Sequence, residues 1–251
     1  MITIDIGNTN IVIGFYNNKT LLFSKRFETK KFIYNKKIVK FFINSIKKYK
    51  IHKYKNLIIF SSVVNKKDEI IKKVSNKINW KCIDIKSKKF KKFYNLKHVS
   101  FDQLGADRIA NYISSKTIYG KNIIIVDFGT ATTFDIIKNG EYLGGIISPG
   151  INVSNQALSD SAFNLKKIKI VKINKIIGNN TIQAMQSGFY WGYLSLIKGI
   201  LDEIIKQNKF FPKIIFTGGL STTYKEIKKY KIIFDENLTL KGLYLIGSLY
   251  V

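Results

Sequence analysis

Residues 2–23, ITIDIGNTNIVIGFYNNKTLLF, place apolar side chains in short runs separated by small polar clusters. Such runs, bounded by Gly and Asn, predict strands. The turn falls at Asn17-Asn18-Lys19, where Asn tolerates the positive φ of a tight hairpin. The pattern returns at 123–143, IIIVDFGTATTFDIIKNGEYL, with its turn at Lys138-Asn139-Gly140. Both stretches begin with an apolar strand ending in Asp-x-Gly, pass through a second strand and turn into a third. A second echo follows: LIIFSSV (57–63) and KIIFTGGL (213–220) each run a buried strand into a small-residue loop. Ser61 lies 56 residues after Asp5 and Thr217 lies 90 after Asp127, so the second half carries an insertion of 34 residues. Much of it is expected within SPGINVSNQALSDSAFNLKKIKI, residues 148–170.

Helical periodicity fills the gaps. Ile38, Phe42, Ile46 and Tyr49 recur at steps of three and four within 36–50. Asn65 is placed to cap an amphipathic helix carrying Ile70, Val74 and Ile78. Asp102 is placed to cap a helix through GADRIANYIS, and Thr181 or Asn180 opens the longest helix, to about residue 207. Within it, Gly188 and Gly192 stand one turn apart, and either admit a close backbone or kink the helix. Each half thus reads as three meandering strands, helix, strand, helix, an α/β unit on a mixed sheet. The expected domains are 1–116 and 117–251, the second with its insertion around 146–178, facing each other across an interdomain cleft.

Composition narrows the class. The chain has 251 residues, 45% hydrophobic and 14% aromatic, which fits a globular protein. No apolar run approaches the roughly 20 residues of a membrane span. The first apolar stretch is interrupted by Asp5 and has no basic flank, unlike a signal peptide. One cysteine, Cys82, forms neither an internal disulfide nor a metal cluster, and a cytoplasmic location is expected. The net charge of +27 suggests a polyanionic partner. Lysine is spread over nearly every surface-like segment, however, so no specific nucleic-acid binding is expected, only weak salt-sensitive attraction.

The candidate chemistry lies in the two hairpins and in one helix start. Gly7 lets the chain turn sharply after Asp5, and the following N–H groups with Asn8 and Thr9 are suited to phosphate oxygens. Asp5 would repel phosphate unless Mg²⁺ intervenes. A matching loop, Asp127-Phe128-Gly129-Thr130, suggests two grips on one triphosphate, as phosphoryl transfer requires. No G-x-x-x-x-G-K-[ST] sequence is present, so a P-loop is excluded. In Gly105-Ala106-Asp107-Arg108, Asp107 is either a surface charge or the acceptor of a proton from an attacking hydroxyl. Arg108 would hold an anion. The segments Gly144-Gly145, Ser148-Pro149-Gly150 and Thr217-Gly218-Gly219 read as site loops or as plain chain reversals.

Taken together, DIGNT (5–9), GADR (105–108), DFGTATT (127–133), GGIISPG (144–150), NTIQAMQSGFYWG (180–192), TGG (217–219) and NLTLKGL (237–243) resemble the type III pantothenate kinases in order and spacing. The resemblance spans the chain. It implies two duplicated ribonuclease-H-like domains of the actin-like ATPase fold, and transfer of the ATP γ-phosphoryl group to pantothenate. It further implies Mg²⁺ with ATP, a monovalent cation (K⁺ or NH₄⁺), and a homodimer. By motif matching, Asp107 is the general base, and Gly105, Ala106, Asp107 and Arg108 contact pantothenate. Asp5, Ile6, Gly7, Asn8, Thr9, Asn10, Ile11, Val12 and Thr130 contact ATP. Asp127 is the monovalent-cation ligand, and Thr181 is a substrate contact in the partner subunit's pocket. His98 stands where the family places a substrate-contacting Tyr, and the usual Leu-Pro near Asn164-Leu165 is absent. Two other functions remain open: a regulator that binds nucleic acid on the same fold, and a kinase for another small hydroxyl compound.

Overall fold

The computed structural model describes residues 1–51, 55–94, 96, 99–225, 227 and 229–250. The chain divides into two compact units, Met1–Tyr119 with Asn237–Val251, and Gly120–Glu236.

The first unit opens with β1 (Ile2–Ile6), β2 (Asn10–Asn17) and β3 (Thr20–Glu28). Next come α1 (Lys36–Lys48), β4 (Leu57–Ser62), α2 (Asn65–Lys77), β5 (Lys81–Asp84) and α3 (Ala106–Tyr119). The strand order is β3-β2-β1-β4-β5, with β1 antiparallel to β2 and parallel to β4. Alternation along β1 sorts the two faces. Ile2, Ile4 and Ile6 point into a core with Ile38, Phe42 and Ile46 of α1 and Ile71 and Val74 of α2. The predicted α1 stripe is therefore its buried face. Thr3 and Asp5 occupy the opposite face of the strand.

The second unit holds β6 (Ile123–Phe128), β7 (Ala131–Lys138), β8 (Glu141–Pro149), α4 (Ile151–Ser161), α5 (Thr181–Asn208), β9 (Lys213–Gly218) and β10 (Ile232–Phe234). Its order, β8-β7-β6-β9-β10, repeats that of the first sheet. The repeat extends to register: Asp5 pairs with Ser61, and Asp127 with Thr217. Each second strand is irregular at the same place, between Phe15 and Tyr16 and between Ile136 and Ile137. The predicted hairpin turns carry positive φ at Asn18, Asn139 and Gly140. Phe134, Ile136, Tyr190, Leu194, Ile197 and Leu201 are among the residues that form the core between this sheet and α5. The added length of the second half lies in α4, in the extended 162–180 segment and in the 28 residues of α5. Asn155 of α4 ties that segment down, donating to Ile168 O at 2.6 Å and accepting from Ile168 N at 3.3 Å.

Several sequence-based expectations are corrected. The last helix, α6 (Leu238–Ser248), belongs to the first unit, not to a 117–251 domain. A methyl group on its Gly242 would lie 1.9 Å from Ala110 O of α3, and Thr239 Oγ1 donates to Asn111 Oδ1 at 2.8 Å. Asn65 is the first residue of α2, not its cap; Val64 holds that place and donates its N–H to Ser62 Oγ. Asp102 does not cap α3, which begins four residues later. Asn180 does cap α5, accepting from Gln183 N at 2.9 Å. Gly144-Gly145 through Pro149 is strand, not a reversal: Gly144 takes φ +138° where β8 passes the irregularity in β7. Gly188 and Gly192 meet no described neighbour within 4 Å of an added methyl.

Candidate functional site

In the first unit, the Asp5–Val12 motif is the β1–β2 turn and its flanks. Gly7 N donates to Asn10 O at 2.9 Å, closing the turn. Thr29, after β3, braces it twice, through Thr29 Oγ1 to Gly7 O at 2.7 Å and Thr29 N to Thr9 O at 2.9 Å. Asn8 and Thr9 are exposed at the tip. Asp5 stands near the C-terminal end of the central strand β1, its Oδ1 accepting from Ser61 Oγ at 2.8 Å. Burial, and then the carboxylate of Asp107, push the Asp5 carboxyl up to about 7; Ser61 and Arg26 act against the shift.

The structure therefore brings together Asp5 and Asp107, which lie 102 residues apart in the chain. Asp107 is in the first turn of α3, its Oδ1 accepting from Arg108 N at 2.8 Å. Burial raises its carboxyl above the ordinary range, opposed by Arg108. A side chain at Gly105 would strike Asp107 Oδ1, at 2.6 Å from an added methyl. The glycine of GADR thus keeps the space beside that carboxyl clear. Ala106 is buried and Arg108 half-buried.

In the second unit, Gly129 N donates to Ala131 O at 3.0 Å, a turn one residue shorter than its counterpart. Thr130 is exposed at its tip, and its carbonyl accepts from Gly150 N at 3.0 Å. A methyl on Gly150 would lie 2.2 Å from that oxygen, so only glycine lets α4 start against the turn. Asp127 is half-buried beside Gly218, whose φ is +86° and where a methyl would lie 2.5 Å from Asp127 Oδ1. Thr181 is exposed at the start of α5. His98 lies outside the described residues. A groove of about 390 Å³ between β8 and α5, lined by Ile136, Leu143, Gly144, Gly199 and Glu203 among others, contains none of the predicted site residues. Burial pushes the Cys82 thiol up to about 11, which suits an inert side chain.

Sequence reasoning did not identify Ser61, Thr29 or Arg26 as parts of the site. For Ser61 a signal existed: a polar residue ending an apolar strand, at the position echoed by Thr217. Thr29 and Arg26 gave none, because their roles depend on how β3 pairs.

The sequence profile described as type III pantothenate kinase matches residues 1–203. A type III pantothenate kinase of Pelagibacter ubique (strain HTCC1062) is 39% identical over 241 residues, covering 95% of each chain. The chain belongs to the type III pantothenate kinase family. Among solved structures, this family member is similar to a conserved Baf family protein from Campylobacter jejuni. The TM-score is 0.61 at 23% identity, over 100% of this chain and 98% of the other. It is also similar to the activator of 2-hydroxyisocaproyl-CoA dehydratase from Clostridium difficile, with TM-score 0.51 at 11% identity over 100% and 95% of the two chains. At these identities the structures speak to fold, and they agree with two ribonuclease-H-like units of the actin-like ATPase kind.

Proposed function

We propose that the chain transfers the γ-phosphoryl group of ATP to the primary hydroxyl of pantothenate, giving 4′-phosphopantothenate and ADP at the opening of coenzyme A synthesis. Beyond family membership, the observation that carries this reading is the proximity of Asp107, in the first turn of α3, to Asp5 near the end of the central strand β1, close enough for its charge to raise the Asp5 carboxyl. Asp107 serves as general base: it takes the hydroxyl proton as that oxygen attacks the γ-phosphorus. A carboxyl raised by burial is a better proton acceptor than one in water. Arg108 holds the carboxylate of pantothenate, with Gly105 and Ala106 shaping the contact. Residues 5–12 and Thr130 contact ATP.

The cations fit the donors present. Asp5 offers carboxylate oxygen, the ligand type that suits Mg²⁺, and burial beside a second carboxyl leaves it in need of a positive charge. Magnesium entering with ATP would neutralise phosphate charge there. We assign the monovalent cation, K⁺ or NH₄⁺, to Asp127, where Gly218 leaves no side chain against Oδ1.

We propose a homodimer, a reading that exposed apolar side chains of the second unit support. Ile147 is 66% exposed, Phe163 fully so and Ile177 80%. Ile182, beside Thr181, is 61% exposed, which supports Thr181 reaching a partner's substrate. No helix among the described residues is long and apolar enough to cross a membrane, and we place the enzyme in the cytoplasm. The test is ADP release from ATP with Mg²⁺ and K⁺. Release that depends on pantothenate is expected; equal release without it would overturn the reading.

A further inference from the structure

Phe101, stacked on Tyr94, and Leu104 are buried in the segment leading into GADR, and one charged side chain converges on its carbonyls. Lys86, just past β5, directs its ammonium at three backbone carbonyls of the 101–104 turn. Nζ donates to Phe101 O, to Asp102 O at 3.2 Å and to Leu104 O at 2.8 Å. It also lies 4.6 Å from the centroid of the Phe101 ring. An ammonium has three N–H donors, and here each meets one carbonyl. Those carbonyls belong to a tight turn rather than a ladder, so without Lys86 they would need other donors. Lys86 is itself fixed from behind: its N–H donates to Asp84 Oδ1 at 2.8 Å, and Ile85 N donates to Phe60 O at 3.0 Å. The chain therefore runs rigidly from the sheet, through one ammonium, to Leu104. The next residue is Gly105, whose carbonyl accepts the α3 hydrogen bond from Ile109 N at 3.1 Å.

We infer that Lys86 is a positioning residue for the reaction, setting the start of α3 and through it the Asp107 carboxyl. The inference rests on the assignment of Asp107 as base. Lysine is required rather than arginine, because a planar guanidinium cannot converge on three oxygens around one nitrogen. Positioning matters on this scale: a displacement of about 1 Å at a reacting group costs on the order of 10²-fold in rate.

The test compares Lys86→Met and Lys86→Arg with the unaltered enzyme, alone and in an Asp107→Asn background. Each single change is expected to lower kcat by roughly 10–100-fold, with KM for ATP within about twofold. In the Asp107→Asn background the further loss is expected to vanish, since both act through one group. Amide exchange across residues 103–109, measured without substrate, is expected to quicken about tenfold in both variants. The arginine variant keeps the charge and the stem, so it serves if the methionine variant does not fold. A kcat within threefold of the unaltered enzyme in Lys86→Arg, or an undiminished loss in the Asp107→Asn background, overturns the inference. Should Asp107→Asn itself leave turnover intact, the base assignment fails instead, and the exchange rates still decide whether Lys86 holds the turn.

Discussion

Ser61 Oγ donates a 2.8 Å hydrogen bond to Asp5 Oδ1, joining the ends of two neighbouring parallel strands. The bond orients a carboxyl that pays for its burial in a raised pKa. Desolvation exceeds the help from Ser61 and Arg26, so Asp5 titrates at about 7 rather than at its ordinary 3.8. The same carboxyl is thereby left able to gain from a cation.

That shift makes Asp5 a source of pH dependence in folding. Between about pH 4 and pH 7 the folded chain keeps a proton that the unfolded chain has lost. Stability due to this group therefore falls as pH rises through that window, and Asp5→Asn removes the slope. Asparagine still accepts from Ser61. Allowing for its partial exposure, the stability of the variant relative to the unaltered protein is expected to be ~1–3 kcal/mol higher at pH 8 than at pH 5. Urea unfolding of both proteins at the two pH values measures this. An identical pH difference in both would refute it. Turnover should nonetheless drop, because the amide is a poor ligand for Mg²⁺.

Two helical glycines are predicted to behave in opposite ways. Gly242→Ala forces a methyl to within 1.9 Å of Ala110 O, so α6 must back away from α3. The expected cost is about 2–4 kcal/mol. Gly199→Ala in α5 meets nothing within 4 Å and should add ~0.5–1 kcal/mol from helix propensity. Thermal unfolding of the two variants separates them, and destabilisation by both would contradict this packing.

Much of this architecture was legible before the structure. The recurrence of Asp-x-Gly, and of a polar residue ending the fourth strand, fixed which positions correspond. The register pairs Asp5–Ser61 and Asp127–Thr217 follow that echo. The α1 stripe and the start of α5, narrowed to Asn180 or Thr181, were legible because each depends on neighbours three or four residues away. What the sequence hid is tertiary. Nothing local says that α6 leaves its own half, since the reason is the bare backbone of Gly242 meeting Ala110, 132 residues earlier. Nor does periodicity separate GGIISPG as strand from GGIISPG as turn, because glycine serves both. Lys86 was one lysine among many; only the fold distinguishes it.

The central claim is that Asp107 takes the proton from pantothenate's hydroxyl as the phosphoryl group arrives. Mass spectrometry of the product, followed over time with the unaltered enzyme and with Asp107→Asn, addresses it most directly. The unaltered enzyme should form 4′-phosphopantothenate, and the variant should form it more slowly by roughly 10²–10⁴-fold. A variant within a few-fold of the unaltered rate, or ADP accumulating with no phosphorylated pantothenate, would contradict the account.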